Sequence, residues 1–108
     1  MSEILCFDID GTLVDETGHF PESAKRALRA ASQAGHMLVL CTGRNRPAIQ
    51  REVLELGFDG IISSAGASVV YRGKEIIQNY LKADKLRRFC EYCRDSRTPF
   101  VIQGGRYN

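Results

Sequence analysis

Short apolar runs alternating with amphipathic stretches set the rhythm of this chain. Residues 3–7 (Glu-Ile-Leu-Cys-Phe) form an apolar run, the pattern of a strand buried on both faces of a parallel sheet. Residues 21–34 read as a helix. Pro21 sits near the first turn, Ala24, Ala27, Leu28 and Ala31 recur at helical spacing, and Gly35 supplies the stop. His36–Cys41 is the next apolar strand. Pro47–Leu56 reads as a second helix with Ile49, Val53 and Leu56 on one face and Gly57 as its stop, and Ile61–Ser64 is a third short strand. Then the period changes. Val69–Tyr71 and Glu75–Asn79, joined by Arg72-Gly73-Lys74, predict an antiparallel hairpin. A helix of about Asp84–Ser96 follows, with Leu86, Phe89, Cys90 and Cys93 as its apolar stripe, and Phe100–Gln103 reads as a further strand after the Thr98-Pro99 break.

Strand–helix–strand–helix–strand with short connections predicts an α/β fold, a Rossmann-like parallel sheet with right-handed crossovers. The change of pattern puts a boundary near Tyr80–Lys82. Residues 1–80 form one unit and 81–108 begin another.

Composition narrows the function classes. With 108 residues, 44% hydrophobic and 26% charged, the chain has the make-up of a soluble globular unit. No apolar run approaches the length of a membrane span, and no basic segment leads into an apolar one at the start. Charge is uneven. Residues 1–60 carry 6 Lys/Arg against 9 Asp/Glu, and residues 61–108 carry 9 against 4. The second-half cations lie mostly on Lys82, Lys85, Arg87, Arg88, Arg94 and Arg97 in one predicted helix with acids between them. A solvated helix face explains them better than nucleic-acid binding. Cys6 and Cys41 lie inside apolar strand runs, as small hydrophobes do. Cys90 and Cys93 have C-x-x-C spacing, but fall mid-helix with no second pair to complete a zinc set, so core positions are expected. Four cysteines in such a chain fit a reducing cytoplasm.

The chemistry concentrates in Phe7-Asp8-Ile9-Asp10-Gly11-Thr12-Leu13. Residues i and i+2 of a strand share a side, so Asp8 and Asp10 project together at the carboxyl end of the first strand, where open α/β sheets bind ligands. Two carboxylates this close repel, and a hard divalent ion, Mg²⁺ above all, resolves the conflict. Gly11 permits a sharp turn after the acids. Leu40-Cys41-Thr42-Gly43-Arg44 ends the second strand on the same rim. Its hydroxyl, glycine N–H and guanidinium suit a phosphoryl group.

Together these segments resemble the haloacid dehalogenase superfamily of phosphotransferases. Phe-Asp-Ile-Asp-Gly-Thr-Leu-Val matches its first motif and Cys-Thr-Gly-Arg its second. Phe20-Pro21-Glu22-Ser23, the Thr-Gly-Arg form, and Ile61–Val70 running into a Gly-Lys turn are similar to the Cof-type branch. The resemblance implies a Mg²⁺-dependent phosphatase acting on a small phosphorylated metabolite, a sugar or cofactor phosphate. Asp8 is then the nucleophile that forms an aspartyl-phosphate, and Asp10 the acid and base. The Asp8 carboxylate and the Asp10 carbonyl hold Mg²⁺, and Thr42, Gly43 and Arg44 hold the phosphoryl oxygens. Residues 81–108 begin an α/β cap.

Two departures stand out. Ala65-Gly66-Ala67 replaces the Asn-Gly-Ala of many Cof-type sequences. Nothing after residue 80 matches the family's third motif, a Lys, or its fourth, a C-terminal acidic metal site. A remaining chain segment or a second chain is therefore expected to complete the core, and the 108 residues alone are expected to be inactive. The competing readings are a catalytically incomplete or non-enzymatic relative and a receiver-type phospho-accepting domain. The Asp-x-Asp spacing and the Ile-Ile-Ser-Ser strand end disfavour the second. A P-loop is excluded, because Gly73-Lys74 is followed by Glu75 and lacks the upstream glycine.

Overall fold

A computed structural model describes residues 1–105. Five strands form one mixed sheet in the order β1-β2-β3-β4-β5. Strands β1 (Ile4–Phe7), β2 (Met37–Cys41) and β3 (Gly60–Ser63) run parallel, with Ile4 opposite Met37 and Val39 opposite Gly60. Strands β4 (Ser68–Tyr71) and β5 (Lys74–Gln78) follow as an antiparallel hairpin. The fold class is α/β, with the parallel strands and the hairpin where the change of pattern puts them.

Helix α1 (Glu22–Gln33) connects β1 to β2, and the single-turn helix α2 (Arg51–Leu54) lies between β2 and β3. Successive right-handed crossovers in one direction along a sheet place both helices on the same face. The core forms there. Ile9, Phe20, Leu28, Leu38, Leu40, Ile49 and Val53 are buried, with Leu5, Phe7 and Ile61 packed against them. Gly35 at φ +90° turns the chain from α1 into β2.

Four expectations need correction. Among the described residues β1 is not buried on both faces: Ile4 is 65% exposed and Cys6 is exposed, because β1 is the edge of the five-stranded sheet and both helices cover the other side. Cys6 is thus no core residue, and Cys41 is half-buried. The second helix is not continuous over Pro47–Leu56. A 3₁₀ turn at Arg46–Ala48 gives way to extended backbone at Ile49 and Gln50 (ψ 128° and 136°) before α2 begins. Pro47 sits in the first turn of the 3₁₀ segment, and the Gln50 amide reaches out to donate to the Gly18 carbonyl (3.3 Å). Ile49 and Val53 still bury together, at 5% and 0% exposure. Finally, Phe100–Gln103 is not a strand, since no described strand pairs with it. Phe100 instead meets Phe89 edge-to-face at 6.3 Å.

Helix α3 (Ala83–Asp95) follows the extended residues after β5. Its Cys93 is buried and Cys90 half-buried, while Phe89 is 53% exposed. No helix among the described residues is long and apolar enough to cross a membrane.

Candidate active site

The turn after β1 is built around one carbonyl. Ile9 is fully buried, and its oxygen accepts from the N–H groups of Thr12 (3.2 Å), Leu13 (3.0 Å) and Val14 (3.0 Å). Gly11, at φ +77°, makes the reversal that brings its own N–H to the Val14 carbonyl (2.9 Å). Burying Ile9 leaves Asp8 and Asp10, on either side of it, exposed. The loop continues through Asp15, whose Oδ1 accepts from the N–H groups of Thr17 and His19 (both 2.9 Å) and the Thr17 hydroxyl (2.7 Å). Those hydrogen bonds favour the charged form and hold the Asp15 carboxyl below the usual carboxylate range.

Asp8 and Asp10 differ in their partners. Among the described residues the Asp8 side chain makes no hydrogen bond or ion pair, so its oxygens are open at the strand end. Asp10 is gripped by Arg44, with Nε donating to Oδ2 at 2.8 Å and Nη2 to Oδ1 at 2.6 Å. This bidentate pair fixes the orientation of both groups, and its hydrogen bonds hold the Asp10 carboxyl below its ordinary range. The third guanidinium nitrogen, Nη1, donates to the Ala48 carbonyl (2.8 Å), so Arg44 is braced from two sides.

Thr42 is 6% exposed at the end of β2. Its N–H donates to the Ile62 carbonyl (2.9 Å), and its hydroxyl oxygen accepts from the Arg44 N–H (3.0 Å). That leaves the hydroxyl proton to donate outward. A side chain at Gly43 would meet nothing within 4 Å, so the backbone there faces open space. The segment after β3 closes the rim, as Ser64 N–H donates to the Arg44 carbonyl (2.8 Å) and Ala65 N–H to the Thr42 carbonyl (3.1 Å). Ser64 (φ 50°), Ala65 (φ 54°) and Gly66 (φ 95°) are three successive left-handed residues.

Of the residues singled out by the sequence, Asp8, Asp10, Thr42, Gly43 and Arg44 thus lie on the ends of two neighbouring strands. Arg44 faces Asp10, where the motif suggested a phosphoryl partner. The sequence did not single out Asn45, 1% exposed, whose Nδ2 donates to the Gly104 carbonyl (2.8 Å). Nor did it single out Ser63 and Ser64 at the end of β3. Their signal was their position, the third parallel strand end on a rim already carrying two motifs. As for a metal, no three His, Cys, Asp or Glu side chains cluster to hold one among the described residues, but Asp8 presents exposed carboxylate oxygen two residues from the Asp10 carbonyl. That is the donor chemistry of Mg²⁺, which takes one or two carboxylates and fills its remaining positions with water and substrate oxygens.

The chain is similar to several known proteins. The sequence profile of the haloacid dehalogenase-like hydrolases matches residues 5–107. The candidate phosphatase YkrA of Bacillus subtilis is 30% identical over 101 residues, 94% of this chain and 39% of YkrA. A hypothetical protein from Geobacillus kaustophilus superposes with a TM-score of 0.80 at 32% identity, covering 90% of this chain and 38% of that one. BT1666 from Bacteroides thetaiotaomicron, a phosphatase of the same superfamily, gives a TM-score of 0.76 at 31% identity over 90% of this chain and 37% of its own. The chain therefore spans under two fifths of the length of each of these relatives. The family profile matches nearly the whole chain, and the chain belongs to the haloacid dehalogenase-like hydrolase family.

Proposed function

We propose that the protein is a Mg²⁺-dependent phosphomonoester hydrolase that acts on a small phosphorylated metabolite, a sugar or cofactor phosphate, through an aspartyl-phosphate. The observation that carries this reading is the unpartnered Asp8 carboxylate on the strand end, beside an oriented Asp10 and the Thr42 hydroxyl. Asp8 attacks phosphorus, forming an O–P bond as the ester P–O bond breaks, and Asp10, released when the Arg44 guanidinium turns to the phosphoryl group and protonated once that charge has left it, delivers the proton that the leaving oxygen needs. A water then attacks the same phosphorus, Asp10 takes its proton, and inorganic phosphate leaves. Thr42 and the Gly43 N–H hold the transferring oxygens. Arg44 positions Asp10 between turnovers and offers the arriving phosphoryl group a charge partner. The Asp8 carboxylate and the Asp10 carbonyl would hold Mg²⁺, which when bound would supply charge neutralisation between nucleophile and phosphate.

In this reading residues 81–108 begin a cap that selects the substrate, and a further segment or chain completes the core. Residues 1–108 expressed alone are inactive. The reading belongs to a reducing cytoplasm, in which the four thiols stay free. The test is turnover of acetyl phosphate and an aryl phosphate by the full-length protein, with and without EDTA. Asp8→Asn is expected to lower kcat by more than about 10³-fold. Turnover that persists in Asp8→Asn, or after metal removal, overturns the proposal.

A further inference from the structure

The helix break after the 3₁₀ turn frees an acceptor. In a continuous helix the Ala48 carbonyl would accept the N–H of Glu52, four residues on. Ile49 and Gln50 are extended instead, at ψ 128° and 136°, and the Ala48 carbonyl takes the Arg44 Nη1 at 2.8 Å. With Nη1 held there, Nε and Nη2 of the same guanidinium point at Asp10, at 2.8 and 2.6 Å.

The break is itself tethered. Gln50 Nε2 donates to the carbonyl of Gly18, in the loop that continues from Asp10. The Gly18 N–H goes to the Asp15 carbonyl (3.0 Å), and Val14 bridges back to Asp10. Asp10, Arg44, Ala48, Gln50 and Gly18 therefore close a ring, in which the backbone on either side of the ion pair is tied a second time. One further detail says that the amide is there for its donor. Gln50 Oε1 is buried with no hydrogen-bond partner among the described residues. An orphaned acceptor carries a desolvation cost that an apolar side chain of the same shape would not, so packing alone does not favour glutamine at this position.

We infer that Gln50 is a positioning residue for Arg44. Its bond to Gly18 holds the break that presents the Ala48 carbonyl, and that carbonyl is the pivot on which the guanidinium turns from Asp10 to an arriving phosphoryl group. The inference rests on the phosphatase reading and deepens it. Nη1 stays on Ala48 while Nε and Nη2 exchange one set of oxygens for another, which the rigid fork of a guanidinium suits. Loss of the tether favours continuation of α2 back through Gln50 and Ile49. That would draw the Ala48 carbonyl into the helix ladder and away from Arg44.

The experiment is a double-mutant cycle on the full-length protein, read as kcat/KM for an aryl phosphate and as the inhibition constant of inorganic phosphate. Gln50→Met keeps the length of the side chain and removes its donor. With Arg44 present it is expected to lower kcat/KM at least about fivefold and to weaken phosphate inhibition by a similar factor. In the Arg44→Ala background it is expected to change neither by more than about twofold. A loss of equal size in both backgrounds, the mark of an effect on folding alone, overturns the inference, as does a Gln50→Met protein that matches the parent. If the full-length parent turns over no phosphomonoester, the phosphatase reading is overturned instead, and the positioning is judged directly by NMR of the Arg44 Nε–H. Exchange of that proton with water at least about fivefold faster in Gln50→Met than in the parent supports the inference, and unchanged exchange overturns it.

Discussion

Ala65 occupies backbone that favours other residues. At φ 54°, ψ 36° its methyl group crowds the neighbouring carbonyl, a cost of roughly 1–2 kcal/mol for an L-residue with a Cβ. Asn tolerates this region, because its short polar side chain bonds locally. Ala65→Asn is therefore expected to raise stability by about 0.5–1 kcal/mol, read as a higher urea midpoint at unchanged slope. The strain is stored where Ala65 and Ser64 close the rim over Thr42 and Arg44, the kind of place where such backbone is found. Asp15 makes the second prediction at this scale. Its folded pKa is lowered, so its contribution is present above the unfolded value near pH 4 and lost as pH falls through the folded one. Asp15→Asn should be less stable than the parent at pH 7, and thermal melts should converge as the pH drops below about 4. Asp8, Asp10 and Thr42 could be placed from sequence because their chemistry is written in adjacent residues. The Asp10–Arg44 pair could not, since its members lie 34 residues apart and meet only once β1 and β2 pair.

Among the elements, α2 shows what burial does for a helix too short to stand alone. Four residues cannot repay helix nucleation, so the turn persists because Val53 is fully buried against the core. Val53→Ala should cost about 2 kcal/mol and lower the urea midpoint accordingly, whereas Glu55→Ala on the exposed side should stay within about 0.5 kcal/mol. Lys25 adds a polar tie between α1 and α2, reaching both Glu22 and Glu52 while its ammonium lies 5.3 Å from the centre of the Phe20 ring. The strands and α1 followed from hydrophobic period and glycine stops, which are local signals. The break at Ile49–Gln50 did not, because the Gln50 amide answers to Gly18, 32 residues away. The apolar run at Phe100–Gln103 has strand composition, but a strand exists only when something pairs with it. Apolar residues at 3–7 likewise announced a strand without saying that one face would stay open.

For the whole molecule, size and shape disagree with a single tight unit. The radius of gyration is 16.5 Å and the long axis 53 Å, against about 13 Å expected for a compact domain of this length. The excess comes with exposed apolar groups at Ile4, Ile76, Tyr80, Leu81, Tyr92 and Val101, all more than half exposed, and with a β1 edge that pairs with no further strand among the described residues. Unpaired edges and apolar faces recruit other chains. Residues 1–108 expressed as a separate polypeptide should therefore associate, with light scattering that rises with concentration. A monodisperse monomer at millimolar concentration would contradict this.

The bond from Asn45 to Gly104 spans 59 residues and joins the neighbour of Arg44 to the segment beyond α3. Any swing of residues 83–105 about the extended stretch after β5 must either break this bond or drag on the backbone that aims the guanidinium. A bond of this kind is worth about 0.5–1.5 kcal/mol net, on its own a two- to tenfold bias between positions that keep it and positions that break it. The amide thus couples the two ends of the chain: a displacement at Gly104 is felt in the backbone beside the arginine, and a displacement of that backbone is felt at Gly104.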